Sequence, residues 1–158
     1  MIRSSRILVP VSGEPTDDEA IGLACEVARR NKAEVFAIYV IQVKRTLPLD
    51  VDLPPEAAKG DSVLAHAERV AATLSITLRG EILQARDVGT AIVDEAVERQ
   101  ADLIVVGIGY KRKFGEFDLG QTAHYVLRNA PCRVWLTRAA PSVAATSPTE
   151  RAAGERGR

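Results

Sequence analysis

The segment Ile7-Leu8-Val9-Pro10-Val11, followed by the turn formers Ser12-Gly13-Glu14-Pro15, sets the pattern on which the rest of the chain is built. The first run is too short and too rich in β-branched residues to favour a helix, so we predict a buried strand that ends at the turn. The next residues, Thr16-Asp17-Asp18-Glu19, form a capping-box pattern. In a capping box, the Thr16 hydroxyl accepts a hydrogen bond from the backbone N–H of Glu19, and the Glu19 carboxylate accepts one from the backbone N–H of Thr16. A helix is therefore expected to begin at Thr16.

The same alternation of strand-like and helix-like segments continues along the chain. Continuous or alternating apolar runs predict strands, and apolar residues spaced three and four apart predict helices. The further predicted strands are Val35–Val43, Ile76–Ala85, Leu103–Val106 and Cys132–Thr137, and the further predicted helices are 57–74, 87–100 and 121–129. Strands that alternate with helices imply an α/β fold: a five-stranded parallel sheet with right-handed crossovers and helices on both faces, which is a Rossmann-like arrangement.

Length and composition indicate one domain over residues 1–138, followed by a tail. A chain of 158 residues can bury a sufficient core without a disulfide or a structural metal. Cys25 and Cys132 are accordingly interpreted as small buried hydrophobic residues. Residues 139–158 consist mainly of Ala, Ser, Pro, Gly and Arg, which cannot bury enough apolar surface to fold, so we predict a disordered C-terminal tail.

Hydropathy excludes a membrane span, and the overall charge gives no reason to expect nucleic acid, although a local basic patch could still attract it. The longest apolar run, Val35–Ile41, is far shorter than the roughly 20 residues of a membrane-spanning helix, so insertion into a membrane is excluded. The 21 basic and 21 acidic side chains balance, so no overall field attracts nucleic acid. The first residues lack the apolar segment of a secretory signal, and we expect a cytoplasmic protein.

Two kinds of loop are candidates for function. In parallel α/β sheets, ligands bind beyond the carboxyl ends of the strands at the point where the strand order reverses, and the loops 12–16 and 107–121 should flank that crevice. A third loop follows the second strand, where Pro48, Pro54 and Pro55 argue against regular structure. A loop of this length is often a lid or a partner surface.

Three segments resemble the universal stress protein family. They are Ile7-Leu8-Val9-Pro10-Val11, Ala101-Asp102-Leu103-Ile104-Val105-Val106-Gly107 and Tyr125-Val126-Leu127-Arg128-Asn129-Ala130-Pro131-Cys132-Arg133-Val134, and the resemblance extends over residues 6–138. It implies a five-stranded parallel α/β sandwich, similar to the adenine nucleotide alpha hydrolases. It also implies a stress-response protein that forms a homodimer through its last strand, Cys132–Thr137, with Trp135 as a candidate for the dimer core.

The resemblance further implies a site for an adenine nucleotide such as ATP. ATP-binding members carry a G-x2-G-x9-G-[ST] loop, whose glycines let backbone amides approach the phosphates. Gly107 and Gly120 match the first and third glycines, but Tyr110 replaces the second and Gln121 replaces the hydroxyl residue. Gly109 and Thr122 lie one residue away from the matching positions. By the same resemblance, Pro10 packs on the adenine, Val40 holds it through the backbone, and Ser12 stands where relatives place an aspartate.

A basic run offers a different means of binding phosphate. Lys111-Arg112-Lys113 lies in the loop beside the predicted phosphate position, and cations there attract a nucleotide or another anion. The alternative interpretation is a solvated surface run, balanced by Glu116 and Asp118. The stretch 114–120 also resembles the loop of universal stress domains attached to membrane transporters.

Two functional hypotheses remain open. The first is a regulatory protein that binds an adenine nucleotide, with Mg²⁺ present only together with the nucleotide. The second is a nucleotide-free dimeric module that regulates a partner protein such as a transporter. No motif for nucleophilic or acid–base catalysis occurs, so we predict no dedicated enzyme, with at most an incidental ATPase activity. His66 and His124 are interpreted as exposed helix residues, and Asp87 as a helix cap.

Overall fold

The computed structural model describes residues 3–109, 112–113, 116–117 and 119–140. These residues form the following elements: β1 (Arg6–Val11), α1 (Thr16–Asn31), β2 (Glu34–Gln42), α2 (Pro54–Thr73), β3 (Leu78–Ala85), α3 (Val88–Glu98), β4 (Leu103–Gly107), β5 (Arg112–Lys113), β6 (Glu116–Phe117), α4 (Gln121–Asn129) and β7 (Arg133–Thr137). No helix of this described part is both long and apolar enough to cross a membrane. The predicted disordered tail falls almost wholly on residues 141–158, outside the described part.

Five strands form one parallel sheet in the order β3-β2-β1-β4-β7. The sequence therefore predicted the fold class and the parallel sheet correctly. The chain adds β2 and β3 on one side of β1 and then crosses to the other side for β4, so the strand order reverses between β1 and β4. A crevice is expected at the carboxyl ends of these two strands.

The core has two layers, one on each face of the sheet. Side chains alternate along β1, so Ile7 and Val9 point to one face and Leu8 to the other, and all three are fully buried. The first face packs against α1 and α2, and the second face packs against α3 and α4. This double burial explains why the central strands are almost continuously apolar.

The start of α1 differs from the capping-box prediction. Pro15 is the N-terminal flanking residue, and no side chain forms a capping hydrogen bond there. The chain already turns before Thr16, since Asp17 N–H donates to Glu14 O at 3.0 Å and Asp18 N–H to Pro15 O at 3.3 Å. Thr16 therefore has the first helical position rather than the extended geometry that a capping residue needs.

Three further boundaries lie two or more residues from their predicted positions, and one of them is the end of α3, at Glu98 instead of Gln100. Helix α2 begins at Pro54 rather than at residue 57, because its prolines occupy the first helical turn, where a backbone N–H has no helical partner anyway. Strand β3 begins at Leu78 rather than Ile76, because Ser75 adopts a left-handed conformation and Ile76 N–H closes the helix end on Ala71 O. The segment 107–120, predicted as a loop, contains the short antiparallel pair β5–β6.

Candidate functional site

The carboxyl ends of β1, β2 and β4 bring the predicted site residues to one edge of the sheet. Pro10 lies at the end of β1, and Ser12 is exposed just beyond it. Val40 lies near the end of β2 and is half-buried, while Gly107 ends β4 and Gly109 follows it. Helix α4 runs from this edge back toward the start of β7, so Gly120, Gln121 and Thr122 belong to the same edge. Tyr110 and Lys111 lie outside the described residues, and for Arg112 only the backbone strand is described.

Gly107 is required by a close approach of two backbone segments. A Cβ atom at this position would lie 2.5 Å from the carbonyl oxygen of Thr16 and 3.0 Å from its carbonyl carbon. Both obstacles are backbone atoms at the start of α1, which cannot rotate away as a side chain can. The first turn of α1 is therefore packed directly against the end of β4, and only glycine allows this contact.

The loop between β1 and α1 is organised by Asp17. Asp17 is 7% exposed, and its carboxylate accepts two hydrogen bonds from the loop. Gly13 N–H donates at 2.7 Å, and Ser12 N–H is shared between the two carboxylate oxygens, at 3.1 and 3.2 Å. Gly13 has a φ of 91°, which lets the loop turn its amides toward Asp17. Burial raises the pKa of Asp17, the two amide hydrogen bonds act in the opposite direction, and the charges of Asp18 and Glu14 raise it further.

Asp17 was not predicted as a site residue, since in the sequence it is only an interior member of the capping-box pattern. The available signal was an acidic residue in the first turn of a helix that follows a glycine-containing turn. A carboxylate at that position can accept hydrogen bonds from the amides of the turn as well as complement the helix dipole.

Helix α2 covers the outer side of this loop and contributes a cation. A Cβ atom at Gly13 would lie 3.0 Å from Val63 Cγ2 and 3.7 Å from Lys59 Cε. The stem of Lys59 therefore lies along the loop, while the residue as a whole is exposed. Lys59 was not singled out from the sequence, because the prediction put it only within a helix.

The N-termini of α1 and α4, both at this edge, differ in the number of acidic residues in their first turn. The first turn of α1 contains Asp17, Asp18 and Glu19, whereas the first turn of α4 contains no acidic residue. Gly120 precedes α4 with a φ of 84° and provides no side-chain cap. The first N–H groups of a helix lack helical partners and carry a partial positive charge. The start of α4 is therefore suited to an anion, and the start of α1 already has its own carboxylate.

The loop of residues 43–53 is held beside the carboxyl end of β3. Arg86 Nη1 donates to the carbonyls of Lys44 at 2.6 Å and Leu47 at 2.8 Å. Gln84 Nε2 donates to the carbonyls of Leu49 at 2.8 Å and Val51 at 2.9 Å. These four hydrogen bonds tie the loop to the carboxyl end of β3, and β2, from which the loop starts, lies between β3 and β1.

The two cysteines are buried or half-buried, and the two histidines are exposed. Cys25 is fully buried, and burial raises the pKa of its thiol to about 11. Cys132 is half-buried, and burial, followed by the charge of Asp102, raises its pKa. His66 and His124 are exposed as predicted, and His66 Nε2 lies 2.8 Å from Asp18 Oδ1. No group of three His, Cys, Asp or Glu residues in the described ranges is arranged to hold a metal ion.

The Asp87 cap that the sequence predicted is present at the start of α3. Its carboxylate accepts from Thr90 N–H at 2.8 Å and from Thr90 Oγ1 at 2.9 Å. These two hydrogen bonds favour the ionised form and lower the pKa of Asp87. This prediction held because the cap depends on residues only three apart in the chain.

Comparison with known proteins identifies relatives of the whole domain. The model of the universal stress protein family matches residues 4–138. The universal stress protein MJ0531 of Methanocaldococcus jannaschii is 30% identical over 139 residues, which cover 84% of this chain and 81% of that protein. The solved structure of the universal stress protein UspA from Lactobacillus plantarum is also 30% identical, covers 87% of this chain and 100% of that one, and superposes with a TM-score of 0.67.

Three more distant structures with the same fold were solved with nucleotides. A universal stress protein in complex with cAMP is 18% identical with a TM-score of 0.68, and covers 88% of this chain and 100% of its own. A protein from Archaeoglobus fulgidus in complex with dAMP is 19% identical with a TM-score of 0.67, and covers 86% and 98%. A protein from Arabidopsis thaliana with AMP bound is 17% identical with a TM-score of 0.63, and covers 90% and 99%.

Proposed function

Since this chain belongs to the universal stress protein family, we propose that it binds an adenine nucleotide in the crevice between β1 and β4. One observation carries the proposal. The first turn of α4 has no acidic residue and begins after Gly120, which has no side chain that could cap the helix N-terminus. This turn follows the family's glycine-loop position and faces the edge at which α/β sheets bind ligands. The nucleotides bound by three structural neighbours support the same ligand class.

In the proposed complex, the base packs against Pro10 and reaches the backbone of Val40, and the phosphate binds at the start of α4. Gly107, Gly109 and Gly120 leave room for backbone contact, while Gln121 and Thr122 offer polar side chains. The contributions of Tyr110, Lys111 and Arg112, and that of Ser12 in place of the usual aspartate, remain predictions from the sequence. We propose a nucleotide-sensing regulator rather than a dedicated enzyme. Its cytoplasmic location also remains a prediction.

The nucleotide proposal is tested by isothermal titration and by thermal shift with AMP, cAMP, ADP and ATP. A ligand at 100 times its Kd is expected to add about 2.7 kcal/mol to the free energy of unfolding. The variant Gln121→Glu puts a carboxylate on the exposed first position of α4 and should weaken binding about tenfold by charge repulsion.

The matched control for that variant is Gln100→Glu. Gln100 is exposed at the opposite edge of the sheet, just before β4, and its Oε1 accepts from Arg6 Nη1 at 3.3 Å, a contact that a glutamate keeps. Nucleotide affinity should not change in this control. The proposal fails if millimolar nucleotide neither shifts the melting temperature nor produces heat on titration.

A second candidate function is the nucleotide-free interaction module, and the 43–53 loop favours it. The loop is held by the side chains of Gln84 in β3 and of Arg86 just after it, yet Leu47 and Leu49 remain 36% and 47% exposed. An ordered loop that presents two leucines to solvent is a candidate for contact with a protein partner, which could be a transporter. If the wild-type protein binds none of the nucleotides in the first test, the interaction module becomes the favoured function.

We also propose that the chain forms a homodimer through β7. This strand pairs with β4 along one edge, and its other edge has no partner strand within the described residues. Val134, Trp135 and Leu136 are half-buried, and exposed apolar edge strands tend to pair with a second copy. Sedimentation equilibrium should give about twice the chain mass of 17.1 kDa, with the β7 amides losing hydrogen-exchange protection on dilution. A concentration-independent monomer mass would contradict the dimer.

A further inference from the structure

We propose that Asp17 is a positioning residue of the nucleotide site: it fixes the turn formed by Ser12 and Gly13, so that this turn meets the nucleoside part of the ligand. The inference rests on the proposed function and deepens it, because it adds a residue that determines affinity without touching the nucleotide. It concerns the segment from β1 into α1, residues 6–31, which the structure describes without a gap.

The first step is that one carboxylate holds the turn from inside. Gly13 N–H donates to Asp17 Oδ2 at 2.7 Å, and Ser12 N–H is shared between Oδ1 at 3.2 Å and Oδ2 at 3.1 Å. Asp17 is 7% exposed, so water competes only weakly for these oxygens. Hydrogen bonds to a charged acceptor are also stronger than those between neutral groups. The backbone of the turn is therefore fixed by a side chain from the first turn of α1.

The second step is that helix α2 holds the same turn from outside. Gly13 has a φ of 91°, and a Cβ atom there would lie 3.0 Å from Val63 Cγ2 and 3.7 Å from Lys59 Cε. The turn thus lies between Asp17 on one side and a helix from a distant part of the chain on the other. All of these contacts are made within the protein, so the turn does not depend on a ligand for its shape.

The third step concerns where the turn lies relative to a bound nucleotide. Ser12 follows the last residue of β1, and Pro10, which is proposed to pack on the base, lies two residues before it. Residues two apart along an extended chain share a face and are separated by roughly 7 Å, which places Ser12 beside the sugar attached to that base. Ser12 is exposed, and its hydroxyl can exchange a hydrogen bond with a ribose hydroxyl. A displaced turn would therefore weaken the contact with the nucleoside.

The experiment is titration calorimetry of the full chain with adenosine and with AMP, applied to Ser12→Ala, Asp17→Ala and the double variant. Asp17→Ala removes the acceptor of both amides and should weaken both ligands about fivefold, because the turn must then be ordered on binding. Ser12→Ala should have an effect of similar size. The double variant should bind no more than about 1.5-fold more weakly than the weaker single variant, since Asp17 acts through the turn that contains Ser12.

The conservative variant Asp17→Asn keeps one acceptor oxygen. In the place of Oδ2, this oxygen accepts from both amides of the turn. Its affinity for adenosine and AMP should fall between those of the unmodified protein and of Asp17→Ala. If Asp17→Ala does not fold, Asp17→Asn takes its place in the double-variant comparison.

The matched control is Asp87→Ala. Asp87 is also a carboxylate that accepts a backbone N–H at the start of a helix, from Thr90, but it lies beyond the end of β3. Its loss should lower the stability of the protein and leave both affinities unchanged. This comparison separates the positioning of the turn from a general loss of stability.

Amide relaxation measured by NMR on the unmodified, nucleotide-free protein tests the inference without any variant. Ser12 and Gly13 should have backbone order parameters of about 0.85, as in a rigid strand. Values below about 0.6 would show a turn that is not fixed in advance and would overturn the role of Asp17.

The outcomes separate the inference from the function on which it rests. Additive losses in the double variant, or unchanged affinities in a folded Asp17→Ala variant, would overturn the role of Asp17 and leave nucleotide binding established. A loss of AMP affinity in Asp17→Ala with adenosine binding unchanged or not measurable would overturn it as well. Absence of nucleotide binding by the unmodified protein would overturn the proposed function and this inference together.

Discussion

Replacement of Gly107 by alanine should lower the free energy of unfolding by about 3 kcal/mol, at the upper end of the range for an overpacked core position. The new methyl group would lie 2.5 Å from the Thr16 carbonyl oxygen, a distance that requires one of the two segments to move. Both are backbone, one at the end of a buried strand and the other in the first turn of a helix. The strain must therefore be relieved by shifting α1 away from β4.

Chemical denaturation in urea measures this effect, with a constant m-value as the sign that the native state remains compact. The same shift of α1 separates the two walls of the crevice, so we also expect Gly107→Ala to weaken nucleotide binding.

The matched control is Gly22→Ala in the middle of α1. A Cβ atom there meets nothing within 4 Å, and alanine is preferred in a helix, so stability should rise by about 0.5–1 kcal/mol. Opposite signs for the same chemical change would establish that the close approach, and not the loss of glycine itself, causes the effect. A loss below 0.5 kcal/mol for Gly107→Ala would contradict the packing argument.

The second large effect is expected at the opposite edge of the sheet. Replacement of Asp102 by alanine should cost about 2 kcal/mol, because it removes a charged acceptor from three donors. Its carboxylate accepts from Ser4 Oγ, from Ser5 N–H at 2.7 Å and from Arg6 N–H at 3.3 Å. Ser4 is only 4% exposed, so its hydroxyl would lose its partner without gaining full access to water. This carboxylate therefore joins the segment that leads into β1 to the start of β4, beside the backbone hydrogen bond from Asp102 N–H to Arg6 O at 3.0 Å.

Urea denaturation of Asp102→Ala, Asp102→Asn and Asp94→Ala tests this prediction. Asparagine retains one acceptor oxygen and should lose less stability than alanine. Asp94 is exposed on α3, and its removal should change stability by no more than about 0.5 kcal/mol. Nucleotide affinity should be unchanged in Asp102→Ala, because Asp102 lies at the amino edge of the sheet. A stability equal to that of Asp94→Ala would contradict the proposed attachment.

The element order and the topology followed from the sequence, and the reason is local. A strand buried on both faces needs a continuous apolar run, as at Ile7–Val11, and a covered helix needs an apolar stripe, as at Ile21 and Cys25. The Asp87 cap could also be predicted from the sequence, because its hydrogen-bond partner Thr90 is only three residues away in the chain. Alternation of these elements leaves a parallel sheet with right-handed crossovers as the expected arrangement.

The sequence also predicted which loops flank the candidate site, those after the first and fourth strands, and the observed strand order has its reversal between β1 and β4. It did not predict how that edge is filled. The roles of Asp17 and Lys59 went unidentified, and the capping box at Thr16 was wrong.

The sequence by itself thus determined the fold class, the family resemblance and the loops that flank the expected crevice, since each rests on patterns that extend over only a few residues. The tertiary structure alone decided that Gly107 lies against Thr16, that Arg86 and Gln84 hold the 43–53 loop beside β3, and that Asp17 turns inward to the loop amides. These contacts depend on the direction of single polar groups and on the approach of segments distant in the chain. Contacts of these two kinds do not appear in the hydrophobic pattern of the sequence. That pattern records only whether a residue is polar, and not whether its side chain points into the loop or into solvent.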